Sequence, residues 1–240
     1  MKDQFTTIRY EFKLENGLKK EFVIKLQPPA LKLVIPERAR VPSWARLSLH
    51  QCPNCPLRPE TSPHCPAAQS LIEVVEQFKD SWSIDNAEVT VTMPARQYHR
   101  KVPLQVGVSS LIGLYMATSG CPIMNKLRPM VHTHLPFATV EETIYRSISM
   151  YLLAQFFRNK RGYKADWELA DLVKIYDDIN LVNQNFSKRL MSIKTTDASL
   201  NALSGLDCFA SITALSIVED TLQELESLFQ AYFSDKPVSS

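Results

Sequence analysis

The chain has 240 residues, 45% of them apolar and 22% charged, a composition that supports a folded core and excludes intrinsic disorder. Its 27 basic and 25 acidic residues leave a formal charge of +2, so no electrostatic excess points to nucleic acid or an anionic membrane as a partner. No uninterrupted run of 18 apolar residues occurs, and MKDQFTTIRYEF carries no apolar signal region; the expectation is a cytoplasmic protein without a membrane span.

Glycine contributes only 6 residues, too few for a glycine-rich phosphate loop. Proline contributes 15, and nine of them fall between Pro28 and Pro66, which bars regular helix or central strand from that stretch.

Residues 5–26 read as a β-hairpin. Ile8, Tyr10, Phe12 and Leu14 alternate with polar neighbours, and Phe22, Ile24 and Leu26 resume the alternation after Glu15-Asn16-Gly17. Face parity selects a three-residue loop, which pairs Tyr10 with Phe22 and Ile8 with Ile24 and places Gly17 at positive φ. Leu31 to Ile35 can add a short strand. Residues 36–66 are expected to be irregular. A helix starts at Pro66, where proline suits the first turn, and runs to about Lys79 with Leu71, Val74, Val75 and Phe78 on its apolar stripe.

A second hairpin follows. Ala87, Val89, Val91 and Met93 form one strand face, Tyr98, Val102, Leu104 and Val106 the returning one, with Pro94-Ala95-Arg96-Gln97 as an even-length loop. A short apolar helix from about Ser110 to Thr118 leads to Ser119-Gly120-Cys121-Pro122. The remainder reads as helical. Thr139 and Glu142 have capping-box spacing before Ile144, Ile148, Tyr151, Leu152 and Phe156, with Gly162 as the stop. Asp166 caps a long helix carrying Leu169, Leu172, Val173, Tyr176, Ile179, Phe186 and Leu190, with Asn183 on the same stripe. Asp197 caps a further helix with Leu200, Leu203, Leu206 and Phe209. Ser216 and Glu219 repeat the capping box before Leu222, Leu225, Phe229 and Tyr232.

The expected fold class is therefore α+β: an N-terminal β-hairpin region and a small β unit packed with a C-terminal bundle of about four helices. Residues 1–120 would form the mixed region with the proline-rich cysteine loop over 36–66, and residues 121–240 the helical region, either as two parts or as one integrated domain.

Chemistry concentrates in the cysteines. Cys52, Cys55, Cys65 and Cys121 are each followed by proline, in CPNCP, HCP and SGCP. C-x-x-C lets two thiolates converge on one ion from a tight turn. Cys65 opens a helix, whose positive end favours thiolate, and Cys121 can close a four-sulfur shell. Four sulfurs suit zinc or an iron–sulfur cluster, and proline commonly follows a cluster cysteine. His64, beside Cys65, and His50, near Cys52, are possible additional ligands. So are His132 and His134, which would share a face if extended. Redox-active or reactive thiols and plain structural thiols remain the other readings. Cys208, within Leu206-Asp207-Cys208-Phe209-Ala210, reads as a small buried hydrophobe.

Other chemistry is sparse. Glu141-Glu142 and Asp177-Asp178 are adjacent on helices and diverge by about 100°. Walker, Rossmann, HExxH, EF-hand and G-x-S-x-G signatures are absent. Arg38, Arg40, Arg46, Arg58 and His64 can form a basic loop patch or simply a solvated face.

Three strings, QCPNCPLRPETSPHCPAA, LIGLYMATSGCPIMNKLRPMVHTHLPFATVEETIYRSISMYLLAQFF and TDASLNALSGLDCFA, together resemble an uncharacterised bacterial family catalogued as a domain of unknown function. The resemblance spans most of the chain and implies a bacterial protein; it brings no activity with it. The expectation from the residues is a cytoplasmic metal-binding protein with a structural or sensory site at Cys52, Cys55, Cys65 and Cys121, acting as a binding or regulatory module with a protein partner rather than as an enzyme. The alternative is a cysteine-dependent enzyme or redox protein using Cys121 or Cys65, with a nearby histidine as base.

Overall fold

The structure is a computed structural model that describes residues 5–36, 40–193, 197–218 and 222–233. Alternation of apolar and polar residues produces two long strands, β1 (Thr6–Leu14) and β2 (Lys19–Gln27), paired antiparallel. Their register is the one face parity demands: Tyr10 lies opposite Phe22 and Ile8 opposite Ile24. Gly17 takes φ +84° in the three-residue loop, and its N–H bonds the Leu14 carbonyl at 2.9 Å. A two-residue β3 (Lys32–Leu33) adds to β2.

The second hairpin pairs β4 (Asn86–Met93) with β5 (Arg96–Pro103), and β4 adds to β1. Its loop is shorter than expected. Met93 lies opposite Arg96 and Val91 opposite Tyr98, so Pro94-Ala95 alone makes the turn. The strand also ends sooner: Leu104 and Val106 belong not to β5 but to helix α3, which spans Leu104–Thr118. The result is one antiparallel sheet ordered β3-β2-β1-β4-β5. The two β regions thus share a sheet, because β1 uses both of its edges.

The inner face of β1, β2 and β4 is apolar and buried, whereas on β5 Tyr98 is half-buried and Arg100 exposed. Phe12 and Phe22 from the sheet meet Phe78 with centroid separations of 5.1 and 5.6 Å. The proline-initiated helix is broken in two, α1 (Pro66–Ser70) and α2 (Ile72–Phe78), around Leu71 at φ −97°, ψ 1°. The break keeps Leu71, Ile72, Val74, Val75 and Phe78 all in the core. Helix α3 crosses the sheet at Gly107. A Cβ there would stand 2.8 Å from Phe12 Cε1 and 2.9 Å from Val89 Cγ2, so hydrogen at this position is what permits the close approach.

A 3-10 helix over Met124–Thr133 follows, an element without a sequence signal. Then come α4 (Val140–Lys160), α5 (Ala170–Met191), α6 (Ala198–Val218) and the short α7 (Gln223–Glu226). The capping box at Thr139 and Glu142 forms with both reciprocal bonds, and Gly162 ends α4 at φ +78°. The buried face of α4 differs from its apolar stripe: Ile144, Ser147, Tyr151 and Gln155 face inward, whereas Phe156 and Phe157 are exposed. Ser147 bonds Tyr176, and Gln155 accepts the Asp166 N–H, so these polar side chains are buried with partners. Asp166 does not occupy the N-cap of α5, which falls to Leu169 at φ 61°. Its carboxylate still accepts the Asp171 N–H at 2.8 Å. Asp197 ties the start of α6 to Ser83, accepting from both its N–H and its hydroxyl. Ser216 lies inside α6 and cannot cap a new helix; its expected partner Glu219 falls outside the described residues, as does Arg38 of the basic patch.

By length and composition α6 could cross a membrane, with mean hydropathy 1.4 in its most apolar window. Serines, Asn201, Asp207 and Thr213 interrupt this helix, so it is apolar on average although it contains no uninterrupted run of 18 apolar residues. In the fold, α6 places Ala202, Leu203, Ala210 and Ala214 in the core. A single cluster of buried residues runs from Ile8 on the sheet to Ala214.

Candidate functional site

The four Cys-Pro cysteines arrive from three directions. Cys52 and Cys55 sit on a tight turn closed by the Cys55 N–H bonding the Cys52 carbonyl at 3.0 Å. The turn is fastened to α5, since Asn54 Nδ2 donates to Asp178 Oδ1 at 2.8 Å and to the Asp178 carbonyl at 3.1 Å. Cys65 is fixed by its own N–H, which bonds the Ala45 carbonyl at 2.9 Å, and by the Leu47 N–H bonding the Pro63 carbonyl. Cys121 follows α3 through Gly120 at φ +92°, a left-handed residue that reverses the chain. Its N–H is held by Ser119 Oγ at 3.2 Å.

All four line one small cavity of about 20 Å³, walled also by Leu47, His50, Val182, Phe186 and Arg189. Among the described residues, however, no three His, Cys, Asp or Glu side chains stand close enough together to hold a metal ion as they are. No disulfide joins the four cysteines.

The electrostatics favour neutral thiols. Burial, then the neighbouring Cys65, Cys121 and Cys55, push the Cys52 thiol up to about 12, with Arg189 opposing. Burial also raises Cys65, against the N–H groups of Ala68 and Ala67 and the Arg189 charge. Cys121 is raised by burial against the N–H groups of Met124 and Ile123. At Cys65 and Cys121, then, backbone donors after the proline face the sulfur: proline itself has no N–H, and the next two residues supply theirs. Donors to sulfur stabilise charge on it, so these two turns favour thiolate locally even though burial outweighs them and keeps both thiols raised.

Arg189 is a residue of the cavity wall that the sequence pattern did not single out. It lies in the last turn of α5, 2% exposed, and Nη1 donates to the carbonyls of Trp44 and Arg46 at 2.5 and 2.7 Å. The available signal was a cation three residues after Phe186, on the face that continues to Leu190.

The histidines do not gather here. His64 bridges Arg46 through its backbone and does not line the cavity. His132 is exposed in the 3-10 helix, which breaks the extended spacing that would have aligned it with His134. His134 packs instead against the sheet, its Nε2 2.6 Å from the Tyr10 hydroxyl. Only His50 reaches the cysteine cavity wall. Cys208 is exposed on α6 rather than buried, because the helix turns its Leu203 and Ala210 side inward. Arg40, Arg46 and Arg58 are exposed.

A family profile described as "Domain of unknown function (DUF6901)" matches residues 8–230. The chain belongs to this family. The match takes in nearly all of the sheet, all four Cys-Pro turns and the helices through α7, so it covers almost the whole fold described above. No curated protein and no solved structure matches the chain.

Proposed function

We propose that this DUF6901 protein binds a metal centre through the thiolates of Cys52, Cys55, Cys65 and Cys121, and that the site fastens the proline-rich loop to the helices as a structural or sensory element of a binding module. The observation that carries this reading is the assembly of four cysteines, 69 positions apart in sequence at the extremes, around one cavity. A cation reverses the local pKa logic, because thiolates that burial disfavours become ligands once the positive charge is present. Arg189 offsets the excess negative charge of four thiolates around a divalent ion.

Zinc and an iron–sulfur cluster both suit four sulfurs. The size of the cavity favours the single ion. Thiol chemistry of a free nucleophile at Cys65 or Cys121 finds less support, because burial raises both thiols whereas a nucleophile works with a depressed one. A reducing compartment such as the cytoplasm would keep the set open for metal.

The test is elemental analysis and absorption of protein purified without oxygen. The expected result is about one zinc per chain and no colour, or iron with matching sulfide and a brown chromophore, with the content falling in Cys121→Ser and retained in Cys208→Ser. Less than about half an equivalent of either metal, in protein also offered zinc or iron and sulfide in vitro, overturns the proposal.

A further inference from the structure

A second and far larger cavity, about 620 Å³, lies between α3, the 3-10 helix over Met124–Thr133, α4, α5 and α6. Its volume is within the range of small-molecule sites. The body of the wall is apolar, from Leu114, Leu127, Ile179, Leu206 and Phe209 among others. Among the described residues no Asp or Glu lines it, and Arg146 is the one formally charged side chain on its wall. His134, the only other basic residue there, is held neutral at pH 7: burial, then the Arg146 charge, lowers it to about 3.

Arg146 is half-committed. Nη2 donates to the carbonyls of Met130 and Thr133 at 3.0 and 2.9 Å, which aims the guanidinium along the wall. Nε is buried with no hydrogen-bond partner, and among the described residues no carboxylate forms an ion pair with Arg146. The carboxylate of Glu142 on the same helix is engaged by the Thr139 N–H in the capping box. A half-buried guanidinium with a buried unpartnered Nε, near the Glu142 charge but ion-paired to no described carboxylate, stands at the side of an apolar cavity and gains from an anion that joins it there. Asn183 also keeps a buried Oδ1 without a partner on the same wall.

We propose that this cavity binds a small apolar carboxylic acid, its carboxylate on Arg146 and its hydrocarbon body along Leu114, Leu127, Ile179 and Leu206. The charge arrangement selects the class. A cation would face Arg146, a neutral alcohol would leave it uncompensated, and a strongly polar anion would forfeit the apolar wall. A carboxylate oxygen can also accept from the unpartnered Nε–H, a charge-assisted bond. The site is separate from the cysteine cavity, sharing no lining residue with it.

The probes are decanoate, decanol and decyltrimethylammonium, titrated calorimetrically into the full chain below their micellar concentrations. Decanoate is expected to saturate at one per chain. Decanol should bind about ten-fold more weakly or worse, and the ammonium compound not at all. Arg146→Gln should weaken decanoate by about ten-fold or more while leaving decanol unchanged. Arg146 also tethers the 3-10 helix, so a second variant guards against misfolding: Ala138→Trp fills cavity volume from a wall residue that makes no hydrogen bond to Arg146 and should abolish binding of decanoate and decanol alike with the unfolding midpoint retained. No saturable decanoate binding at millimolar concentration overturns the proposal. So does equal affinity for acid and alcohol, or unaltered decanoate binding in Ala138→Trp.

Discussion

Replacing Arg189 by methionine tests how the cysteine loop is held. Methionine keeps most of the side-chain volume, so the cavity contribution is small. What is lost is two hydrogen bonds from a charged donor, at 2.5 Å to Trp44 and 2.7 Å to Arg46. Bonds of this kind contribute about 1.5–3 kcal/mol each, and a carbonyl left buried without a partner costs about 1–3 kcal/mol. Against that, the variant no longer carries the desolvation of a buried cation, which is several kcal/mol before compensation. The balance is a net destabilisation of about 2–4 kcal/mol in the metal-free chain, a large share of a typical stability of roughly 5–15 kcal/mol. Urea unfolding followed by circular dichroism measures it, with Arg189→Lys as companion. Lysine retains the charge without the planar fork and should recover part of the loss. A shift under about 1 kcal/mol in the methionine variant, in the range of ordinary surface substitutions, would refute the idea that Arg189 clamps the loop over Trp44–Arg46 to α5.

Two further outcomes follow from the packing. Gly107→Ala should destabilise by about 1–3 kcal/mol, because the new methyl meets Phe12 and Val89 inside 3 Å and α3 must lift from the sheet; thermal unfolding reads this, and an unchanged midpoint would contradict the close approach. His134 binds its proton less readily in the folded state, at about 3 against an ordinary 6.5. The stability this contributes is present above pH 6.5 and is lost as pH falls towards 3. The wild type should therefore lose more stability between pH 6.5 and 4 than His134→Gln does, and parallel pH profiles would show that the imidazole is not the group responsible.

Local patterning was sufficient wherever one residue's chemistry decides one feature. The parity of Tyr10 and Phe22, the loop glycine at 17, the capping box at Thr139 and the stop at Gly162 all depend on neighbours close in sequence, and all appear in the fold. The cysteine set was legible for the same reason, since thiol-proline pairs are rare enough to stand out by themselves. Sequence patterning failed where distant packing overrides it. Leu104 and Val106 alternate like a strand but wind into α3, since Gly107 allows that helix to lie directly on Phe12 and Val89. The apolar stripe of α4 faces partly outward because Ser147 and Gln155 find hydrogen-bond partners inside.

The amino-acid order alone specified an antiparallel hairpin, a helical second half and a thiol-rich loop, because backbone propensity and face periodicity act over a few residues. Only the folded chain could put Arg189 behind the cysteines and Arg146 beside an apolar cavity free of carboxylates. Those placements depend on how whole helices seat against one another, and a guanidinium's role is set by which carbonyls and empty space it meets, not by its position along the chain.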